Sequence, residues 1–179
     1  MSFRFMVSPL LAAILSLALL IPAVASAEGG LTAAGSRAKA SNFSVKDINN
    51  KKIKFSKYKG KVVVLAFWAT WCKPCLMELK HFSKFKEKYG DDLVILAISN
   101  DDASTAPKVR STAKKEGWAM PVIHDAGGAL TAKYNPKGSN PYSVYIDRAG
   151  RVALTHEGFA SGDETTHETH IKALLAEKP

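Results

Sequence analysis

Residues 67–75 read FWATWCKPC, and this stretch carries the only two cysteines of the 179-residue chain. Residues 62–66, just before it, read VVVLA, a short β-branched run that predicts a buried central strand. After it, apolar residues recur at the spacing of one helix face, namely Leu76, Leu79, Phe82 and Phe85. The sequence therefore predicts that both cysteines lie where a strand is followed directly by a helix.

This position favours chemistry over a structural disulfide. At the start of a helix, unpaired backbone N–H groups and the positive end of the helix dipole stabilise a thiolate. Pro74 fits the first helical turn, where its missing N–H breaks no helical bond. Exported proteins usually use a cysteine pair structurally, but a bond between Cys72 and Cys75 would close too short a loop to restrict the unfolded chain much. The spacing therefore predicts a redox-active pair.

The N-terminus has the parts of a secretory signal peptide, which we predict over residues 1–27. Arg4 supplies the positive charge, residues 7–20 are mainly apolar, and small residues follow them. We expect cleavage after Ala27, with cleavage after Ala25 as the second choice. The alternative is an uncleaved N-terminal anchor, for which the apolar run is short. Both alternatives predict an exported protein, and we expect a periplasmic location.

The size and net charge of the mature chain limit its number of domains and its possible binding partners. Residues 28–179 suffice for one domain with its own core. Removing Arg4 lowers the net charge from +9 to +8, and lysines spread over residues 51–61 are typical of a solvated surface. Basic residues are not interleaved with aromatic ones in any known binding module, so we expect no nucleic-acid partner. An acidic partner or an anionic membrane surface stays as an alternative use of the charge.

The order of predicted elements indicates an α/β sandwich. Residues 28–40, rich in small and polar residues, are expected to form a flexible leader. Besides the strand and helix around the cysteines, the predicted elements are a β-hairpin over 43–55, a strand over 93–98, a helix over 105–115, a strand over 120–123, a short helix from 127 to 134, a β-hairpin over 142–156 and a final helix capped by Asp163. Strand, helix and strand in succession imply a parallel crossover. The sum is a central mixed β-sheet flanked by helices.

Several motifs together resemble a known family. Besides the cysteine stretch they are Glu78, the pair Asn140-Pro141 just before a strand, and residues 146–150, which read IDRAG. Over about residues 42–175 they resemble the exported thioredoxin-like proteins, and more narrowly the TlpA/ResA-type thiol–disulfide oxidoreductases. The resemblance implies a thioredoxin-like domain over residues 41–179, with an N-terminal β-hairpin extension.

The resemblance also implies an activity. An exported protein disulfide reductase of this type would exchange a Cys72–Cys75 dithiol or disulfide with protein disulfide substrates. The resemblance favours a reductant, for example in cytochrome c maturation, and a membrane electron donor would keep this protein reduced. A dedicated oxidase of the same fold is the alternative direction of electron flow. We expect a monomer with no cofactor and no bound metal.

Roles for the residues of the motif follow from thiol chemistry beside that resemblance. Cys72, nearer the helix start, is predicted to attack, and Cys75 to resolve the mixed disulfide. Lys73, next to the nucleophile, favours its thiolate form. Trp71 and Trp68 are expected to shape the rim of the site and the core beneath it, and aromatic packing alone is the alternative for both.

Three further residues are implicated by the resemblance. It implies that Pro141 is cis and lies against the cysteines, which leaves the backbone of Asn140 free to pair with a substrate strand. The Asn140 side chain is expected to contact the partner or one sulfur, with a simple turn residue as the alternative. The resemblance implies that Glu78, about one turn below Cys75, handles protons at the pair, and a plain surface residue is the alternative. Thioredoxins proper carry a buried acid where this chain has Ala66, so Glu78 or water must replace it.

Two rival classes remain from the sequence. A thioredoxin-like copper metallochaperone would use both cysteines and a distant histidine, His124 or His156, but such carriers generally space their cysteines by three residues. The pair His167 and His170 has metal-ligand spacing, although two solvated histidines at a Thr-rich helix start explain it as well. A thiol peroxidase is the other rival, and its attacking cysteine usually stands alone in a Pro/Thr-rich setting that residues 67–75 lack.

Overall fold

The computed structural model describes Met1 and residues 30–178. Apart from Met1, the predicted signal peptide and its cleavage site lie outside these residues. Within the described part of the chain, no helix has both the length and the apolar character that crossing a membrane requires.

The described elements follow the predicted order closely. The strands are β1 (Ser44–Lys46), β2 (Lys52–Lys54), β3 (Val62–Trp68), β4 (Leu93–Ser99), β5 (Val122–His124), β6 (Tyr142–Ile146) and β7 (Val152–Glu157). The α-helices are α1 (Lys73–Tyr89), α2 (Ala106–Glu116), α3 (Ala129–Tyr134) and α4 (Asp163–Ala176). Both predicted β-hairpins form as antiparallel pairs, β1 with β2 and β6 with β7.

A mixed sheet in the order β5-β4-β3-β6-β7 forms the centre of the fold. β3 pairs in parallel with β4 from Val62–Leu93 to Trp68–Ser99, which confirms the predicted crossover through α1. On its other side β3 pairs antiparallel with β6. All residues of β3 and β4 are buried, as continuous apolar runs in a sheet covered on both faces should be.

Alternation along the strands divides the core into two layers. Val64, Ala66 and Trp68 of β3 face α1, α2 and α4, and buried side chains of these helices such as Phe82 complete that layer. The opposite face is covered by α3 and by the segment around β2, with Phe67 among its buried residues. The fold is therefore a thioredoxin-like α/β sandwich with an added N-terminal hairpin, as the sequence predicts.

The N-terminal segment differs from the flexible leader that we expected, because residues 30–40 pack on the domain. Arg37 is buried, and its guanidinium binds the carboxylates of Asp147 and Glu177 at 3.1 and 2.5 Å. Lys39 forms a β-bridge with Arg151. An arginine buried between two carboxylates fixes a segment whose small residues show no periodicity. Residues 28 and 29 of the expected leader lie outside the described residues.

The start of α4 also needs a correction. Gly162 is the N-cap with φ 104°, and Asp163 is the first helical residue rather than the cap. The Asp163 carboxylate instead accepts a hydrogen bond from the backbone N–H of Ala160 at 2.7 Å. Positive φ at the N-cap position explains why glycine takes it.

Candidate functional site

Cys72 and Cys75 form a disulfide at the N-terminus of α1, with their Cα atoms 5.3 Å apart. Cys72 is the N-cap, and its Sγ accepts a hydrogen bond from the backbone N–H of Cys75 at 3.3 Å. Pro74 lies in the first turn, where the sequence predicts it. Both cysteines are buried, and only Cys72 retains any exposure, 3% against 0%. An N–H that already points at the sulfur of Cys72 favours a thiolate there after reduction.

The loop that leads from β3 to Cys72 is held by Asp101, a residue that the sequence analysis did not select. The Asp101 carboxylate accepts hydrogen bonds from the Thr70 backbone N–H at 2.8 Å and the Thr70 hydroxyl at 2.7 Å. The hydroxyl of Ser99, at the end of β4, also donates to it at 2.8 Å. Asp101 is buried. The sequence feature that could have identified it is an acidic residue just after a buried strand, beside the carboxyl end of β3.

The peptide bond between Asn140 and Pro141 is cis, as the resemblance implied. The antiparallel register of β3 and β6 runs from Val63–Ile146 to Phe67–Tyr142. Pro141, the residue before Tyr142, therefore comes opposite Trp68 at the end of β3. This register brings the cis proline to the end of the sheet where the cysteine loop begins.

The side chain of Asn140 has a partner that neither of our two expectations named. Its Nδ2 donates to Oδ1 of Asn100 at 2.8 Å, and Asn100 lies in the loop after β4. This bond ties the cis-proline loop to the neighbouring loop at the same end of the sheet.

The two tryptophans of the motif take different positions. Trp71 is 70% exposed beside the cysteines, whereas Trp68 is buried and packs edge-on against Trp118 at 4.9 Å between ring centroids. The expected division between rim and core is therefore what the structure shows. Lys73 is exposed on the first turn of α1, and so is Met77, at 54%, one turn further on.

Glu78 is fully buried, which rules out a plain surface position. Its Oε1 accepts a hydrogen bond from the hydroxyl of Ser143 on β6 at 2.9 Å. The pKa of Glu78 is raised to about 8, mainly by burial; the Ser143 hydrogen bond opposes this shift and the negative charge of Asp163 adds to it. Glu78 follows Cys75 by three residues on α1, so the two side chains lie on the same side of the helix.

The interpretation of His167 and His170 as solvated residues is wrong, because both rings are buried. Their exposed fractions are 0% and 5%. They face the core from α4 together with Ile171 and Leu174, so the helix buries a face that contains two histidines. The pKa of His167 is lowered to about 3, mainly by burial and to a smaller extent by nearby His156.

The histidines that a copper carrier would use lie in separate surroundings. His124 Nε2 is 2.9 Å from the carbonyl oxygen of Asp101, and His156 lies 3.8 Å from the carboxylate of Asp163. Over the described residues, no three Cys, His, Asp or Glu side chains are grouped as metal ligands would be. The two cysteines are instead joined to each other, which also differs from the lone cysteine of the peroxidase alternative.

Comparison with known proteins points to one family. The profile of the AhpC/TSA family matches residues 37–155. Thiol-disulfide oxidoreductase ResA of Bacillus thuringiensis subsp. konkukian is 37% identical over 136 residues, which are 75% of this chain and 76% of that protein. Thioredoxin-like protein YneN of Bacillus subtilis is 35% identical over 120 residues, which are 66% of this chain and 69% of that protein.

Solved structures agree with these sequence matches. A candidate thiol:disulfide interchange protein DsbE from Chlorobium tepidum has a TM-score of 0.72 at 29% identity, covering 78% of this chain and 97% of its own. The exposed lipoprotein thioredoxin of Streptococcus pneumoniae has a TM-score of 0.65 at 29% identity, covering 75% and 100%. The thioredoxin-like fold and the resemblance to TlpA/ResA-type proteins are therefore confirmed.

Proposed function

This chain belongs to the AhpC/TSA family and is a thioredoxin-like thiol–disulfide oxidoreductase of the TlpA/ResA type, and from this premise we propose that Cys72 is its attacking thiol and Cys75 its resolving thiol. The observation that carries the proposal is the hydrogen bond from the Cys75 backbone N–H to Cys72 Sγ at the N-terminus of α1. It distinguishes the two sulfurs, because a thiolate at the N-cap faces a donor and the positive end of the helix dipole.

The exchange proceeds in two displacements. The Cys72 thiolate attacks one sulfur of a substrate disulfide, a bond between Cys72 and that sulfur forms, and the other substrate sulfur leaves as a thiolate. Cys75 then loses its proton and attacks Cys72 Sγ, so that the second substrate sulfur leaves as well. The substrate gains two electrons and two protons, and Cys72 and Cys75 become the disulfide present in the structure.

In this proposal Glu78 accepts the proton that Cys75 loses. The two residues lie on the same side of α1, and both are fully buried, so solvent does not compete directly for this proton. With a pKa of about 8, Glu78 has its protonation equilibrium close to neutral pH, which suits a general base. Lys73 acts at the other sulfur, where its exposed positive charge favours the Cys72 thiolate.

A protein substrate would dock at the exposed side chains of Trp71 and Met77, next to the loop of the buried Pro141. Two exposed apolar side chains beside a reactive sulfur offer contact area to an unfolded segment. The cis peptide at Pro141 would let the backbone of Asn140 pair with the substrate as an added strand. The bond between Asn140 and Asn100 would hold that loop in position.

We place the enzyme outside the cytoplasm as a monomeric reductant. The signal-peptide features of residues 1–27 support export, with a retained anchor as the alternative, and the name of the ResA relatives supports a role in thiol–disulfide exchange. An oxidising compartment would trap the pair as a disulfide, so a membrane electron donor must return it to the dithiol. Reduction of a cysteine pair during cytochrome c maturation is the substrate role that we propose.

Trapping of the mixed disulfide tests the order of attack. Reduced Cys75→Ser protein mixed with oxidised glutathione should accumulate a glutathione adduct on Cys72, because the resolving thiol is missing. The matched variant Cys72→Ser should stay largely unmodified, since its remaining thiol is enclosed. Mass spectrometry of the intact proteins measures both. Equal adduct formation by the two variants would contradict the assignment.

A further inference from the structure

Glu78 contacts His167, a buried histidine that has no role in the exchange steps described above. Nε2 of His167 lies 3.4 Å from Oε1 of Glu78, and both side chains are fully buried. The pair crosses the interface between α1 and α4. Within the described part of the chain, neither His167 Nε2 nor the second carboxyl oxygen of Glu78 has a hydrogen-bond partner. Buried polar atoms without partners are unusual, so this contact needs a reason.

The orientation of the His167 ring follows from its other nitrogen. Nδ1 shares a hydrogen bond with the hydroxyl of Tyr145 on β6. Burial, and to a smaller extent Glu78, raises the pKa of Tyr145 well above its ordinary value, so the phenol keeps its proton and can donate it to Nδ1, which is the direction that we assign to this bond. A neutral imidazole that accepts at Nδ1 carries its proton at Nε2, the nitrogen that faces Glu78.

Aromatic neighbours hold the ring in this orientation. Phe159 stacks on it with an interplanar angle of 6° and a centroid distance of 5.7 Å, and Phe82 of α1 lies 5.1 Å away. The titratable groups around the ring come from every element packed against it: Glu78 and His81 from α1, Tyr145 from β6, His156 from β7, and Asp163 and His170 from α4. Of these, Glu78 is the group in contact with Nε2, at 3.4 Å.

We propose that His167 is a positioning residue of this enzyme: Tyr145 fixes its tautomer so that Nε2–H points at Oε1 of Glu78 and stabilises that side chain as a carboxylate. The inference rests on the proposed role of Glu78 as the proton acceptor of Cys75. When Glu78 ionises, its Oε1 has two donors, Ser143 and His167, and a shortened Nε2–H···Oε1 contact becomes a charge-assisted hydrogen bond.

This arrangement sets the pH at which the resolving step can occur. The Glu78 carboxylate takes the proton from Cys75 Sγ, the Cys75 thiolate attacks Cys72, and the departing substrate thiolate receives the proton in turn. His167 gives up no proton in this sequence; its Nε2–H increases the ionised fraction of Glu78. Removing a hydrogen bond to a charged group lowers that fraction about tenfold at neutral pH.

The test uses an aromatic disulfide that releases one coloured thiolate when Cys72 attacks and a second when Cys75 resolves. In the wild-type protein the rate of the second release should rise with pH around a midpoint near 8. In His167→Phe we expect this rate to fall about tenfold at pH 7 and the midpoint to rise by about one pH unit. His167→Gln, whose amide also donates toward Oε1, should restore most of the rate.

Two controls separate this role from packing and from the role of Glu78 itself. His156→Gln alters a ring whose centroid is 4.6 Å from that of His167 but which has no bond to Glu78. In this variant the pH midpoint of the second release should therefore stay unchanged. Glu78→Gln should slow the second release at every pH. If Glu78→Gln is slow but His167→Phe keeps the wild-type profile, the inference about His167 is overturned and the proposed function stands. If Glu78→Gln also resolves normally, the base role of Glu78 falls, and this inference with it.

A measurement on the unsubstituted protein decides the question if His167→Phe does not fold. Nitrogen NMR shifts of labelled histidines distinguish the Nε2–H tautomer, the Nδ1–H tautomer and the imidazolium. The proposal requires His167 to be the neutral Nε2–H tautomer from pH 5 to 9. An Nδ1–H tautomer, or an imidazolium at neutral pH, would overturn it.

Discussion

The carboxyl group of Glu78 and the imidazole of His167 are both held in their neutral forms by burial. The pKa of Glu78 is raised to about 8 and that of His167 is lowered to about 3. The folded state therefore binds the Glu78 proton more tightly than the unfolded chain does, and binds the His167 proton less tightly. Their contributions to the pH dependence of stability have opposite signs.

We predict a pH range in which Glu78, and not His167, contributes to the slope of the free energy of unfolding against pH. Between pH 4.5 and pH 6.5, the ordinary pKa values of a carboxyl group and an imidazole, the stability lost through Glu78 and the stability gained through His167 largely cancel. From there to about pH 8 only Glu78 of these two groups differs in protonation between the folded and unfolded states, so it should lower the free energy of unfolding by up to about 1.4 kcal/mol per pH unit. Urea unfolding of wild type and Glu78→Gln measures this, and the variant should lack the decline. A parallel decline in both proteins would contradict the burial of an ionisable Glu78.

Individual residues differed in how far the sequence could identify them. The spacing of their motif identified Cys72 and Cys75, and the resemblance to the family implied Pro141; the structure places all three at one end of the sheet. His167 could not be found in this way, because its contact with Glu78 joins residues 89 positions apart in the chain, on two different helices. A His-x-x-His pattern with polar neighbours indicates a solvated helix face unless the packing partner is known.

At the level of elements, the turn between β3 and α1 depends on the neighbouring strand. Asp101 receives two hydrogen bonds from Thr70 and one from Ser99, so the end of β4 holds the loop that presents Cys72. Because Asp101 is buried, removing its carboxylate leaves these donors without an acceptor.

Asp101→Ala should therefore destabilise the protein by about 1–3 kcal/mol and slow disulfide exchange by allowing the loop to shift. Denaturant unfolding and the first-step rate with an aromatic disulfide measure the two effects. Asp102→Ala is the matched control, since Asp102 is the exposed neighbour in the same loop. Equal effects of the two substitutions would show that the carboxylate of Asp101 does not position the cysteine loop.

Element prediction worked where periodicity was strong and failed where tertiary contacts decide. The buried runs of β3 and β4 and the apolar face of α1 led directly to the observed sheet and helix. The segment over residues 30–40 has no such pattern, and it is held by Arg37, whose partners Asp147 and Glu177 lie 110 and 140 positions further along the chain. Ion pairs between distant segments leave no local signal in the sequence.

Over the whole molecule, the fold brings the ends of several elements to one edge of the sheet. The start of α1, the loop after β4 and the cis-proline loop before β6 meet there, and each contributes a residue to the site. The carboxyl ends of adjacent parallel strands commonly form such sites. The lysines of residues 51–61 lie mainly on the hairpin and the loop after it, and most are exposed, as expected of a solvated surface.

The central claim is that the intact fold makes Cys72, and not Cys75, the nucleophile. Pulsed alkylation of the reduced, full-length protein with iodoacetamide from pH 5 to 9, followed by peptide mass spectrometry, measures the reactivity of each sulfur separately. We predict that Cys72 is modified with a midpoint below 8.5, the ordinary cysteine pKa, while Cys75 stays protected across this range. Preferential modification of Cys75 at neutral pH would contradict the account.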